Sequence, residues 1–333
     1  MRILVKLLLA LVALAVLAAG GGYLYLTTAY PAVPAPEAVT LPTSSEALAR
    51  GRYLAHHVAL CIDCHAERDF SRFAGPIKPG TLGRGGERFS RETDGVPGTI
   101  YSPNITPAGL SGYSDGELLH AVTTGVALDG RALFPLMPYP NYGQLDRDDV
   151  LAMLAYVRTL DRIEHEVPAR TLEFPVNLIV NTIPRAASFT TRPSPTDRVA
   201  YGKYLATAAS CAECHTPMDD RGQRLPGMEF AGGMPFRLPA PGHRVNSANI
   251  TPEADTGIGQ WSEEQFVNKF KAFETPDDRV LSADEQRQNT VMPWLQYAGM
   301  TREDLGAIYA YLRTLKPVVN RVVTFPDARA GSQ

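Results

Sequence analysis

The sequence predicts a mainly α-helical protein in which one small domain occurs twice in tandem, behind an N-terminal transmembrane helix. Three observations carry this reading. Cys61-Ile62-Asp63-Cys64-His65 recurs as Cys211-Ala212-Glu213-Cys214-His215. Other short stretches recur around these two, in the same order. A charge-free run from Leu7 to Leu26 follows Arg2 and Lys6, and it is long enough to cross a bilayer as a helix.

Composition bounds the rest. With 333 residues, 44% hydrophobic and 20% charged, the chain can fold into two or three compact domains. A formal net charge of −3 argues against nucleic acid as a partner, which favours a basic stripe. The 28 Gly and 27 Pro predict many loops and short helices.

The N-terminal run, residues 1–26, reads as an uncleaved anchor, because it continues through Gly20-Gly21-Gly22 into Tyr23 and Tyr25, which suit an interfacial belt. The alternative is a cleaved signal peptide with small residues at Ala13-Leu14-Ala15 or Ala18-Ala19. In both readings the remainder is exported, to the bacterial periplasm. Residues 27–42 contain Pro31, Pro34, Pro36 and Pro42 and read as an extended tether.

The first domain is expected over 43–165. Thr43-Ser44-Ser45-Glu46 caps a helix running to about His57. Residues 66–113 should hold little regular structure. Ser114-Asp115-Gly116-Glu117 is a capping box, and Gly125 stops the helix it opens. Asp146 caps a last helix ending near Leu160. A linker over 166–195 leads to the second domain, 196–326, and a tail, 327–333.

The repeat is read by pairing stretches. Gly51-Arg52-Tyr53-Leu54 pairs with Gly202-Lys203-Tyr204-Leu205. Phe73-Ala74-Gly75 pairs with Phe230-Ala231-Gly232, and Asn104-Ile105-Thr106-Pro107 with Asn249-Ile250-Thr251-Pro252. Met137-Pro138-Tyr139 pairs with Met292-Pro293-Trp294, and Tyr156-Val157-Arg158-Thr159-Leu160 with Tyr311-Leu312-Arg313-Thr314-Leu315.

C-x-x-C-H is the attachment signature of a c-type haem. Two thiols one turn apart add to the two vinyl groups, and the adjacent imidazole reaches the iron. Cys61 and Cys64 with His65, and Cys211 and Cys214 with His215, therefore predict two covalently bound haem c groups. They use all four cysteines, and a zinc site or redox dithiol explains neither the following His nor the second copy. Each iron needs a second axial ligand. Met137 is the candidate in the first repeat, since Met153 lies inside a helix, and Met292 in the second, by alignment with Met137. The alternative is packing by these methionines. His56, His57, His120, His165 and His243 are the other histidines and read as packing or surface groups. Asn104 and Asn249 open turns that either line the haem edge or serve local turn chemistry. Arg84 and Arg131 read as solvated arginines or propionate partners, and Tyr156 and Tyr311 as core residues beside the haem.

With both C-x-x-C-H motifs, both N-I-T-P turns, Gly257-Ile258-Gly259-Gln260-Trp261-Ser262, both Met-Pro-aromatic loops and both Y-[VL]-R-T-L helix ends on the page, the chain resembles the membrane-anchored di-haem cytochrome c subunits of bacterial periplasmic dehydrogenases. The resemblance spans about residues 43–326. It implies a class I cytochrome c-like fold in each half, His/Met irons and electron transfer rather than catalysis. It further implies a periplasmic dehydrogenase catalytic subunit as partner, of molybdenum, flavin or quinoprotein type, and a quinone or terminal oxidase as acceptor. Related members carry three haems. Ala108-Gly109-Leu110-Ser111-Gly112 departs from the G-I-G-x-W-S run of the second half, so the two haems are not expected to have equal solvent access. A di-haem peroxidase or thiosulfate-oxidising cytochrome is the enzymatic alternative. It would need an iron that opens or a fifth cysteine. A non-redox haem sensor is disfavoured for want of a signalling domain.

Overall fold

The computed structural model describes residues 2–219, 222–238 and 242–329. Met1 of the expected anchor and residues 330–333 of the expected tail lie outside the described residues. Helices dominate, as expected, with one three-stranded and one two-stranded sheet of short strands among them. The chain forms two compact units. The first comprises Met1–Val39, Tyr113–Gln144 and Leu172–Ser188, and the second Thr40–Gly112, Leu145–Thr171 and Phe189–Gln333.

In the first unit, helix α1 (Arg2–Thr28) covers the apolar run and extends beyond it at both ends, by two residues past Leu26. It is the one described helix long and apolar enough to cross a membrane, with mean hydropathy 2.7 over its best window and none of that window buried. The capping box at Ser114 forms as predicted. The Glu117 N–H donates to the Ser114 hydroxyl, and the Ser114 N–H donates to the Glu117 carboxylate at 2.8 Å. Gly125 ends that helix, α2 (Asp115–Thr124), at φ 83°, a conformation open to glycine at little cost.

The second unit is built from two helix crossings of the same design. Helix α3 (Ser45–Tyr53), capped by Ser44, crosses α4 (Arg147–Val157), capped by Asp146. Helix α5 (Arg198–Ala208) crosses α6 (Arg302–Leu312), capped by Thr301. The glycines of the paired G-x-Y-L stretches stand at the two crossing points. A Cβ on Gly51 would lie 1.9 Å from the Ala152 carbonyl oxygen, and one on Gly202 would lie 1.8 Å from that of Ala307. No side chain fits there, so glycine alone permits this approach.

The two crossings also bind each other reciprocally. The Tyr53 hydroxyl donates to the Asp304 carboxylate at 2.6 Å and accepts from the Thr301 N–H at 3.1 Å. The Tyr204 hydroxyl donates to Asp149 at 2.6 Å and accepts from the Asp146 N–H at 3.3 Å. Each tyrosine therefore reads the helix start of the other half, as in a two-fold interface. Asp149 additionally pairs with Arg50 at 2.9 Å and with Arg192 at 2.5 Å. Burial alone would raise its pKa, but these hydrogen bonds and charges hold it below the ordinary carboxylate value.

Residues 66–113 hold little regular structure, as expected: a four-residue helix, Arg91–Asp94, and a short hairpin in which Arg88–Ser90 pairs antiparallel with Gly98–Tyr101. Pro235–Arg237 and Arg244–Asn246 form the matching hairpin in the second half. Ladders of three residues are too short for alternation to show in sequence. One expectation needs correction: the pairing of Phe73-Ala74-Gly75 with Phe230-Ala231-Gly232 is not the structural one. Gly85 donates to the His65 carbonyl at 2.9 Å, and Gly232 to that of His215 at 2.7 Å. The next residues, Gly86 and Gly233, donate to Ser102 and Ser247 at 2.9 and 2.8 Å. The counterpart of Phe230-Ala231-Gly232 is thus Gly83-Arg84-Gly85. What is repeated there is a backbone with φ 74° and 71°, and the tripeptide likeness misaligned a longer loop.

Candidate haem attachment sites

Each C-x-x-C-H stretch is a single helical turn, Cys61–Cys64 and Cys211–His215. Each starts from a residue in the left-handed region, Leu60 at φ 55°, ψ 32° and Ser210 at φ 54°, ψ 33°. Such conformations in residues other than glycine cost about 1 kcal/mol or more and are held by their surroundings. Here they reverse the chain between the long helix and the cysteine turn.

The turns orient their histidines identically. His65 Nδ1 lies 2.8 Å from the Pro103 carbonyl oxygen, and His215 Nδ1 lies 2.7 Å from that of Ala248. A carbonyl only accepts, so Nδ1 carries the proton and Nε2 keeps its lone pair. Burial pushes both imidazoles down in pKa, which keeps them neutral, the ligating form.

The accepting carbonyls belong to the residues just before Asn104 and Asn249, which explains the N-I-T turns. The Asn104 side chain accepts from the Thr106 N–H at 2.9 Å and donates to the Ile163 carbonyl at 2.8 Å. Asn249 does the same with Thr251 at 3.0 Å and Val318 at 2.8 Å. The turn thus ties the histidine's carbonyl partner to the chain beyond the last helix. Arg158 and Arg313 of the Y-[VL]-R-T-L ends donate to the carbonyls of Leu110 at 3.0 Å and Gly259 at 2.7 Å.

The cysteines are free thiols. Burial pushes Cys61, Cys64 and Cys211 up to about 12 and Cys214 to about 11. By accessible surface, however, Cys64 and Cys214 are exposed and Cys61 and Cys211 partly so. Paired neutral thiols with accessible surface, beside an imidazole with its Nε2 lone pair available, fit a covalently attached haem. They do not suit a thiolate nucleophile.

The two Met-Pro-aromatic loops share one local geometry. The Tyr139 N–H donates to the Met137 carbonyl at 2.8 Å, and the Trp294 N–H to that of Met292 at 2.8 Å. A one-turn helix follows each, Tyr139–Tyr142 and Trp294–Tyr297. Met137 belongs to the first unit and Met292 to the second. Met153 is buried in the core, as its helix position predicted.

The remaining histidines have protein partners. His56 Nε2 contacts the Tyr156 hydroxyl at 2.6 Å, His57 Nδ1 the Gln296 carbonyl at 2.9 Å and His120 Nε2 the Pro34 carbonyl at 2.9 Å. His165 packs on Gly86, and His243 lies 3.9 Å from Asp327. Arg84 pairs with Glu67, and Arg131 lies 3.4 Å from Asp129. Tyr311 meets Phe230 edge-on at 6.1 Å.

Sequence reading passed over the charges around the first turn. The buried Asp63, between Cys61 and Cys64, accepts from Arg68 at 3.3 Å, and Arg68 donates to Glu87 at 3.0 Å. Burial raises the Asp63 pKa, and Arg68 opposes that rise. By the repeat, Met218 and Met234 stand where Arg68 and Glu87 stand. The bridges Arg68–Ile77 and Met218–Arg224, and the shared bonds of Glu87 and Met234 to Ser102 and Ser247, set this register.

Residues 199–316 match the sequence family described as Cytochrome c. That segment, which holds Cys211, Cys214, His215 and Met292, is similar to cytochrome c domains, a class that carries covalently bound haem c. Over a longer span, the chain is similar to cytochrome c subunits of dehydrogenases. It is 28% identical over 295 residues to the cytochrome c subunit of the quinone alcohol dehydrogenase of Gluconacetobacter polyoxogenes, covering 84% of this chain and 58% of that one. It is 29% identical over 304 residues to the fructose dehydrogenase cytochrome subunit of Gluconobacter japonicus, covering 86% and 55%. A diheme cytochrome c-type protein of Cereibacter sphaeroides is 28% identical over 267 residues, covering 78% and 82%. The chain spans little more than half the length of the first two relatives.

Proposed function

We propose that this chain is a di-haem electron-transfer cytochrome, with one cytochrome c domain over residues 43–165 and a second over 196–326. The observation that carries the reading is the duplicated turn: a left-handed residue, C-x-x-C-H, and a histidine Nδ1 bonded to the carbonyl before an N-I-T turn, in both halves. Cys61 and Cys64, and Cys211 and Cys214, hold the two haems through thioethers. His65 and Met137 would ligate the iron of the first haem, and His215 and Met292 that of the second. When bound, each haem supplies a one-electron iron couple whose potential a thioether ligand raises.

The protein's own part is to fix the imidazole tautomer, keep the thiols neutral until attachment, and exclude water. A neutral imidazole paired with a thioether leaves no protein group set up for acid–base work on a substrate, so the chain acts as a relay. It takes electrons from a periplasmic dehydrogenase catalytic subunit and passes them to a quinone or terminal oxidase. Helix α1 serves as a membrane anchor, with the globular part in the periplasm.

Purified full-length protein should give two haems per chain by alkaline pyridine spectra, low-spin bands, and a methionine-to-iron charge-transfer band. Met137→Leu and Met292→Leu should each lower one midpoint potential and spare the other. A single haem per chain, or high-spin haem with peroxide turnover, would refute the relay.

A further inference from the structure

The two halves differ in one place where the difference joins them. From Gly51 to Cys61 is ten residues, and from Gly202 to Cys211 is nine. The extra residue forms a π-turn, in which the Ala59 N–H donates five residues back to Leu54 at 2.7 Å. In the second half the Ala209 N–H donates the ordinary four residues back to Leu205, at 2.8 Å. Such turns often mark functional positions.

This π-turn carries His57, whose Nδ1 lies 2.9 Å from the Gln296 backbone carbonyl. The Gln296 side chain donates from Nε2 to Asp63 Oδ1 at 2.6 Å, within the Cys61–Cys64 turn. Gln296 sits in the one-turn helix that follows Met292-Pro293. Its Oε1 is buried and finds no hydrogen-bond partner among the described residues. A Cβ on Gly299, at the end of the same segment, would fall 2.1 Å from His57 Nδ1, so the π-turn and this segment are closely fitted.

We propose that Gln296 is a positioning residue that couples the two haem sites. It holds the Met292 ligand loop of the second site on the cysteine turn of the first, so each site feels changes made at the other. Asp63 transmits the contact and is itself held by Arg68. The inference rests on the di-haem, His/Met reading above. In the second half Glu213, the counterpart of Asp63, pairs with Arg224.

The test uses the full-length, haem-loaded protein in spectrally monitored redox titrations. Two haems and a methionine charge-transfer band in the unaltered protein come first, and their absence would sink the underlying reading rather than this one. Gln296→Leu should shift the first site's midpoint potential downward, because Asp63 loses a donor. It should also weaken the charge-transfer band of the second. Asp63→Asn should move both sites too, and combining it with Gln296→Leu should add little, as expected for partners in one interaction. Tyr204→Phe, which removes a bond between the halves elsewhere, should lower the unfolding midpoint and leave both potentials unchanged. The proposal is overturned if Gln296→Leu leaves the first site's potential unmoved, if the two changes simply add, or if Tyr204→Phe shifts the potentials equally. Should Gln296→Leu fail to load haem, Asp63→Asn alone decides, since an unaltered second site in that variant rules out coupling.

Discussion

The turn at Cys61–His65 and the turn at Cys211–His215 share a backbone and differ in what surrounds it. Both begin at a left-handed residue, both direct Nδ1 to the carbonyl before an N-I-T turn, and both accept a glycine N–H at the histidine carbonyl. Around the first turn stand Asp63, Arg68 and Glu87, two acids and one base. Around the second, methionines occupy the last two positions. Geometry is common to the halves and electrostatics is not. A duplicated fold thus places two like turns in unlike electrostatic surroundings, with the excess negative charge at the first.

The sharpest way to break the comparison is at the helix crossings. Gly51→Ala and Gly202→Ala should each cost about 3 kcal/mol or more, because the added methyl overlaps a backbone carbonyl and the helices must part. Urea unfolding would measure both, and tolerance of either change would show that the crossings are not equivalent. Next comes the charge difference. Arg68→Met should destabilise by about 3 kcal/mol by stranding buried acids, whereas Met218→Leu should cost less than about 1.5 kcal/mol. Comparable losses would mean that the buried charges do not distinguish the halves.

A smaller effect separates the two reciprocal carboxylates. Asp149 has two arginine partners beyond its tyrosine, so Asp149→Asn should cost about 2 kcal/mol. The Asp149 pKa is lowered in the fold, so its contribution is present above the ordinary value of 3.8. It is lost as the pH falls through the lower folded value. Unfolding midpoints followed from pH 6 downward should show this acid loss in the unaltered protein and a shallower one in Asp149→Asn. Tyr53→Phe and Tyr204→Phe should each cost about 1 kcal/mol, and a large difference between them would break the two-fold reading of the interface. Least of all, Ser210→Gly should stay within about 0.5 kcal/mol, since relief at φ 54° offsets the extra freedom of glycine in the unfolded chain.

The sequence by itself determined the helix caps, the duplication, the apolar run and the two C-x-x-C-H turns. All of these are local patterns. Ser44, Ser114 and Asp146 cap because their side chains reach backbone donors two or three residues on, and adjacent residues can carry such a signal. The histidine orientation was half legible. Both N-I-T turns could be seen, but not that the preceding carbonyl receives Nδ1, a contact 38 residues away in one half and 33 in the other. The tripeptide likeness of Phe73-Ala74-Gly75 misled because positive φ leaves only a weak mark in residue type. Tertiary structure alone decided the reciprocal tyrosine bonds, the one-residue π-turn before Cys61, and the contact from Gln296 to Asp63. Those contacts join residues up to 251 positions apart, and nothing in either segment names its distant partner until the two halves pack.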